Sequence, residues 1–179
     1  MIITYWLLCL LYILAHAYGD NAVSTDQMTG LQALYASANG DNWDWDGSVG
    51  QWNFSIPNVN PCLDSWQGLT CNVDCNNNTA SNCTVQTIVL SSYNLYGTIP
   101  SELSLITSLT NMDLRSNNLY GMIPITLSNL NLLEKLYFQD NRLTGTIPSD
   151  LGLLGQLQYL HLEGNQLNGS IPSELGSLS

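Results

Sequence analysis

Positive charge is almost missing from this 179-residue chain. Arg115, Lys135 and Arg142 are its only Lys or Arg residues, against 14 Asp and Glu, and the net charge is -11. Such a surface repels polyanions, so nucleic acid and anionic lipid are not expected partners. Histidine is equally scarce: only His16 and His161 occur, and His16 lies in an N-terminal leader, so imidazole chemistry would have to centre on His161. No G-x-S-x-G elbow, no glycine loop followed by Lys and no paired carboxylate motif occurs, only scattered acids. The chain therefore reads as no enzyme, with no catalytic residues, no cofactor and no metal site.

Long apolar runs are also missing, with one exception. MIITYWLLCLLYILAHA opens the chain, carries no charged side chain and ends in the small-residue pattern Ala15-His16-Ala17. It reads as a secretory signal peptide over residues 1–19, cut near Ala17 or Gly19; it is short for a membrane anchor and no stop-transfer pattern follows. No membrane contact is expected from the mature segment. Sequons at Asn53, Asn77, Asn82 and Asn168 fit glycosylation in a secretory pathway, Asn82 least well because Cys83 beside it is expected in a disulfide.

Cys9 leaves with the leader. Cys62, Cys71, Cys75 and Cys83 remain, clustered and even in number, which predicts a local disulfide framework. Four cysteines allow three pairings, and the adjacent one, Cys62–Cys71 with Cys75–Cys83, closes two small loops and is preferred. The alternative is a zinc site, but C-x8-C-x3-C-x7-C lacks the paired C-x2-C knuckles.

The second half repeats every 24 residues: VQTIVLSSYNLYGTIPSELSLITS, LTNMDLRSNNLYGMIPITLSNLNL, LEKLYFQDNRLTGTIPSDLGLLGQ and LQYLHLEGNQLNGSIPSELGSLS. Gly stands at 97, 121, 145 and 169, and Pro at 100, 124, 148 and 172. Ile88, Met112, Leu136 and Leu160, each followed two residues on by Leu90, Leu114, Phe138 and Leu162, predict one short strand per coil with one face buried. Asn117, Asn141 and Asn165 follow the last three strands, where amide side chains can satisfy backbone groups in the bend. Gly then permits a tight turn, and Ile-Pro an extended segment that no helix continues. Each coil buries its apolar set only against its neighbours, so the product is a solenoid with a stacked parallel sheet on its concave side.

These residues resemble the plant-type leucine-rich repeat, LxxLxxLxLxxNxLxGxIPxxLGxL, over 85–179. Tyr93 departs from it, standing where the Asn ladder should begin. The preceding order also resembles the N-terminal cap of that family: LYASANGDNW, Trp52, Pro61-Cys62, then Trp66, Gly68 and Cys71. Ser24-Thr-Asp-Gln27 reads as a capping box before a helix with Met28, Leu31, Leu34 and Tyr35 on one face, ended by Asn39-Gly40. The resemblance implies an α/β solenoid, a right-handed leucine-rich repeat superhelix with a parallel concave sheet and a helical, disulfide-bonded cap. Residues 20–84 form that cap and 85–179 its four repeats. The loop NNNTASN between Cys75 and Cys83 is an addition to the plain cap.

DNWDWDG, residues 41–47, has the spacing of a calcium loop at Asn42, Asp44, Asp46 and Gly47. Its twelfth position falls on Asn53 rather than on a bidentate Glu, and NFSIPNVNP cannot form the exiting helix. It reads instead as a cap loop with solvated acids, in which Trp43, Trp52 and Trp66 are buried.

The concave strand positions that face outward are the candidate ligand-binding residues: Asn111, Asp113, Arg115, Lys135, Tyr137, Gln139, Tyr159, His161 and Glu163, continued from the first coil by Thr87 and Val89. Two of the three cations and two tyrosines lie there, and Tyr and Arg are common interface anchors. Tyr96 and Tyr120 mark a lateral alternative. Four coils span roughly 15–20 Å of sheet, enough for a peptide or a loop. The resemblance implies a protein or peptide ligand, as for receptor-like-kinase ectodomains. A secreted inhibitor of a wall-degrading glycosidase, or a structural or adhesive surface protein, is the alternative. The sequence ends at SELGSLS, one residue short of a full coil, which predicts a longer chain or association through an uncapped C-terminal edge.

Overall fold

The computed structural model describes residues 23–47, 50–56, 59–72, 75 and 83–178. The expected leader and the sequons at Asn77 and Asn82 lie outside the described residues.

Helix α1 (Thr25–Ser37) starts where expected, with the Ser24 hydroxyl accepting the amide of Gln27 at 3.3 Å. Gln27 does not complete a capping box. It turns its side-chain oxygen away from the helix start, and Oε1 accepts the amide of Val85 at 2.8 Å. Leu31 and Leu34 are fully buried, and Met28 and Tyr35 pack against the same core. Asn39 stops the helix by taking the left-handed conformation, φ 60° and ψ 50°.

The DNWDWDG loop folds into an aromatic cluster. Trp43, Trp52 and Trp66 are only 4%, 3% and 3% exposed. Trp52 stacks on Trp66 at 5.6 Å, while Trp43 meets Trp52, and Phe54 meets Trp66, edge-on at 5.1 and 4.8 Å. Two of the buried indole N–H groups donate to carbonyls, Trp43 to Ala38 at 2.8 Å and Trp52 to Gln67 at 2.9 Å. Disulfides Cys62–Cys71 and Cys75–Cys83 fasten the segment that follows.

Two sheets run along the coils. The concave one has the order β1 (Leu69–Cys71), β2 (Val85–Val89), β4 (Asn111–Asp113), β6 (Lys135–Tyr137) and β8 (Tyr159–His161). All its pairings are parallel except β1–β2, where the cap contributes an antiparallel edge strand that the sequence pattern did not predict. The second sheet is also absent from the sequence reading: β3 (Tyr96–Thr98), β5 (Asn118–Gly121), β7 (Arg142–Thr146) and β9 (Gln166–Asn168) pair in parallel on the flank. Each coil then returns through a short 3₁₀ turn, such as Ser101–Leu105 and Ile125–Asn129, directly after its Pro.

The asparagines form the expected ladder. Asn117 Nδ2 donates to the carbonyls of Leu90 and Leu114 at 2.8 and 2.9 Å, and its Oδ1 accepts Leu95 N–H at 3.0 Å. Asn141 repeats this with Leu114, Phe138 and Leu119, and Asn165 with Phe138, Leu162 and Leu143. At the first coil Tyr93 replaces the ladder with a link to the cap. Its ring meets Trp45 edge-on at 5.8 Å, and its carbonyl accepts the amide of Asp44 at 2.9 Å. Gly97 lies where α1 ends on β3. A Cβ there would strike the backbone carbonyl of Ser37, so only glycine allows the approach.

Leu95, Leu119 and Leu143, and Leu103, Leu127 and Leu151, are buried in stacked rows, where each side chain contributes about 1.5–3 kcal/mol. Exposure rises at the last coil: Ile99 and Ile123 are 4% and 2% exposed, Ile171 78%. No helix among the described residues is long and apolar enough to cross a membrane.

Candidate ligand-binding face

The parallel register aligns the outward side chains in columns 24 residues apart. Val89, Asp113, Tyr137 and His161 form one column, and Thr87, Asn111, Lys135 and Tyr159 the next. Tyr137 and His161 rings lie 5.2 Å apart, and Tyr137 and Tyr159 6.5 Å apart. Arg115 places its guanidinium 5.6 Å from the Tyr137 ring centre, and Lys135 its ammonium 5.7 Å from that of Tyr159. Both contacts are within cation–π reach, so each cation is held over a ring rather than free to wander. Two of the three fixed cations of an acidic chain are thus fixed on one face.

Acidic groups steer this cluster from its edges. Asp113 accepts the Arg115 amide at 3.2 Å and places a second oxygen 3.2 Å from the guanidinium. It is only 3% exposed, so the expectation that it offers a carboxylate to a ligand does not match its position. Both its oxygens are turned to Arg115, one on the amide and one on the guanidinium. At the other end His161 Nδ1 donates to Glu163 Oε1 at 3.0 Å. That hydrogen bond holds the exposed Glu163 carboxyl below its ordinary range.

Asn111 and Gln139 each contribute something the sequence did not suggest. Asn111 Oδ1 and Gln139 Oε1 are covered, yet among the described residues neither accepts a hydrogen bond. Unpaired buried acceptors cost about 1–3 kcal/mol each.

The lateral pair is real but distinct. Tyr96 and Tyr120 lie on β3 and β5 of the flanking sheet with ring centres 5.5 Å apart, and they share no ring contact with the concave cluster. Among the described residues no group of three His, Cys, Asp or Glu stands close enough to hold a metal ion.

The family profile of the leucine rich repeat matches residues 107–167. No curated protein sequence matches the chain. Among solved structures it is similar to the BIR2 ectodomain from Arabidopsis thaliana, with 33% identity, a TM-score of 0.68 and coverage of 88% of this chain and 78% of that one. It shares the fold of the leucine-rich repeat ectodomain of the receptor kinase SOBIR1 from Arabidopsis thaliana, at 24% identity, a TM-score of 0.68, and 88% and 77% coverage. It is also similar to the plant peptide hormone receptor RGFR1 in complex with RGF2, at 33% identity and a TM-score of 0.55, over 63% of this chain and 20% of that one.

Proposed function

We propose that this chain, which belongs to the plant-type leucine-rich repeat proteins, is a non-enzymatic extracellular recognition module that binds a protein or peptide ligand on its concave sheet. The observation that carries this reading is the ordered cluster of Arg115, Tyr137, His161 and Glu163, with Lys135 and Tyr159 beside it. Rigid aromatic surface with pre-positioned charge is the chemistry of interface hot spots. The similar RGFR1, a peptide hormone receptor solved in complex with RGF2, supports a peptide ligand.

Under this proposal residues 1–19 are a removed leader, 20–84 the cap and 85–179 the recognition coils. The mature chain acts outside the cell or on the outer face of its plasma membrane. The test is binding to an immobilised library of secreted peptides and proteins. Tyr137→Ala or His161→Ala should weaken any specific partner about tenfold or more. Unchanged binding in both variants sinks the concave-face assignment. The net charge of -11 favours one further reading, docking to a basic secreted glycosidase as its inhibitor, which a polygalacturonase panel addresses.

A further inference from the structure

We propose that Asn53 carries an N-linked glycan whose first sugars seat in a cleft of the cap, between α1 and the loop 50–56. The inference rests on a secretory route for the chain, not on the concave-face reading. Asn53-Phe54-Ser55 is a sequon. Asn53 is exposed, and its Oδ1 accepts the amide of Ser55 at 2.9 Å, closing an Asx turn. Among the described residues its Nδ2, the atom to which a glycan joins, donates to nothing.

Asn53 stands on the lining of a cleft of ≈ 680 Å³ together with Gln32, Tyr35, Asp41, Phe54 and Ile56. That volume falls within the range of small-molecule sites. Tyr35 and Phe54, with ring centres 5.4 Å apart, give it an aromatic wall, and Ile56 is half exposed. Gln32 and Asp41 add a donor and acceptors. A pyranose has this duality, with one C–H face that packs on rings and a rim of hydroxyls that hydrogen-bond. Attachment at the lining also makes occupancy intramolecular, at a high effective concentration. Asn168 gives the contrast: it lies on strand β9, exposed beside Gly169 and Ser170 on a flat sheet.

Attachment forms a bond from Nδ2 to the first sugar's C1. It breaks the bond from that carbon to the pyrophosphate oxygen of a lipid-linked oligosaccharide donor. Nδ2 gives up one proton, and the lipid pyrophosphate leaves.

The test is the full chain secreted from a glycosylating eukaryotic host. Mass spectrometry should find Asn53 modified, and peptide N-glycosidase should release this glycan several-fold more slowly from the folded than from the unfolded protein. Ser55→Ala, which removes the sequon but leaves Asn53 in place, should lower Tm by about 2–4 °C. Gln32→Trp, an exposed change that fills the cleft, should speed release from the folded protein. An unmodified Asn53 overturns the proposal. So does a modified Asn53 whose glycan leaves the folded wild-type and Gln32→Trp proteins equally fast.

Discussion

The side-chain oxygen of Gln27 accepts the backbone N–H of Val85 at 2.8 Å, tying the first turn of α1 to the first strand of the repeats, β2, across 58 residues of chain. Both groups are buried, so water cannot replace the bond. Gln27→Leu leaves the amide of Val85 unpaired and should cost about 1–3 kcal/mol. The check is a fall in the urea midpoint at unchanged m, because the surface exposed on unfolding stays the same.

The asparagine ladder makes a second, larger prediction. Asn141→Ala strands the amide of Leu119 and takes one of two side-chain donors from each of the carbonyls of Leu114 and Phe138, and should destabilise by about 3 kcal/mol. Tyr93→Asn, which restores the repeat pattern, should also destabilise, by about 1 kcal/mol. Two coils' worth of backbone is needed for the ladder, and behind Tyr93 lies the antiparallel β1 rather than a coil. The substitution gains no partner in a preceding coil and loses the edge-on contact with Trp45. Equal or greater stability in Tyr93→Asn would refute this account of the first coil.

These two cases show what the sequence made legible. In the last three coils each bend solves the same hydrogen-bonding problem with the same residue, so the 24-residue period, the buried rows and the concave columns could be read directly. Gln27 bonds across 58 residues, and no local pattern announces that. The flanking sheet escaped because β3, β5 and β7 each contain the turn glycine, Gly97, Gly121 or Gly145, which reads as a break rather than as part of a strand. Asp113 sits in the column predicted for it, yet it is buried and paired with Arg115, which spacing does not determine.

Tyr35 gives a pH dependence. Its phenol donates to Asp41 at 2.8 Å, and burial, reinforced by that hydrogen bond and the carboxylate's charge, pushes its pKa up to about 12 from 10.0. The neutral phenol is the form the fold favours. Its contribution is therefore complete below pH 10, where folded and unfolded chains both hold the proton, and is lost as pH rises from 10 to about 12. Urea midpoints across this window should fall less steeply in Tyr35→Phe than in the wild type. Parallel slopes would show that the phenol is not coupled to folding.

The two disulfides should differ under mild reduction. Cys75 and Cys83 are buried at 1% and 2% exposure, whereas Cys62 and Cys71 are partly accessible. Thiolate attack needs access to sulfur, so Cys62–Cys71 should open first in a mass-mapped titration with reductant. Replacing either pair by alanine should cost about 2–3 kcal/mol by releasing a short loop in the unfolded chain.

The register of the concave sheet has one more consequence. Thr87 pairs with Asn111, and Asn111 with Lys135, at a constant offset of one coil. Excision of residues 111–134 would bring Lys135 beside Thr87 with the ladder, the flank and the 3₁₀ return all still in phase. A coil is thus an interchangeable cassette: adding or removing one alters the length of the reading surface while leaving its grammar intact, whereas a shift of even one residue would scramble every column after it.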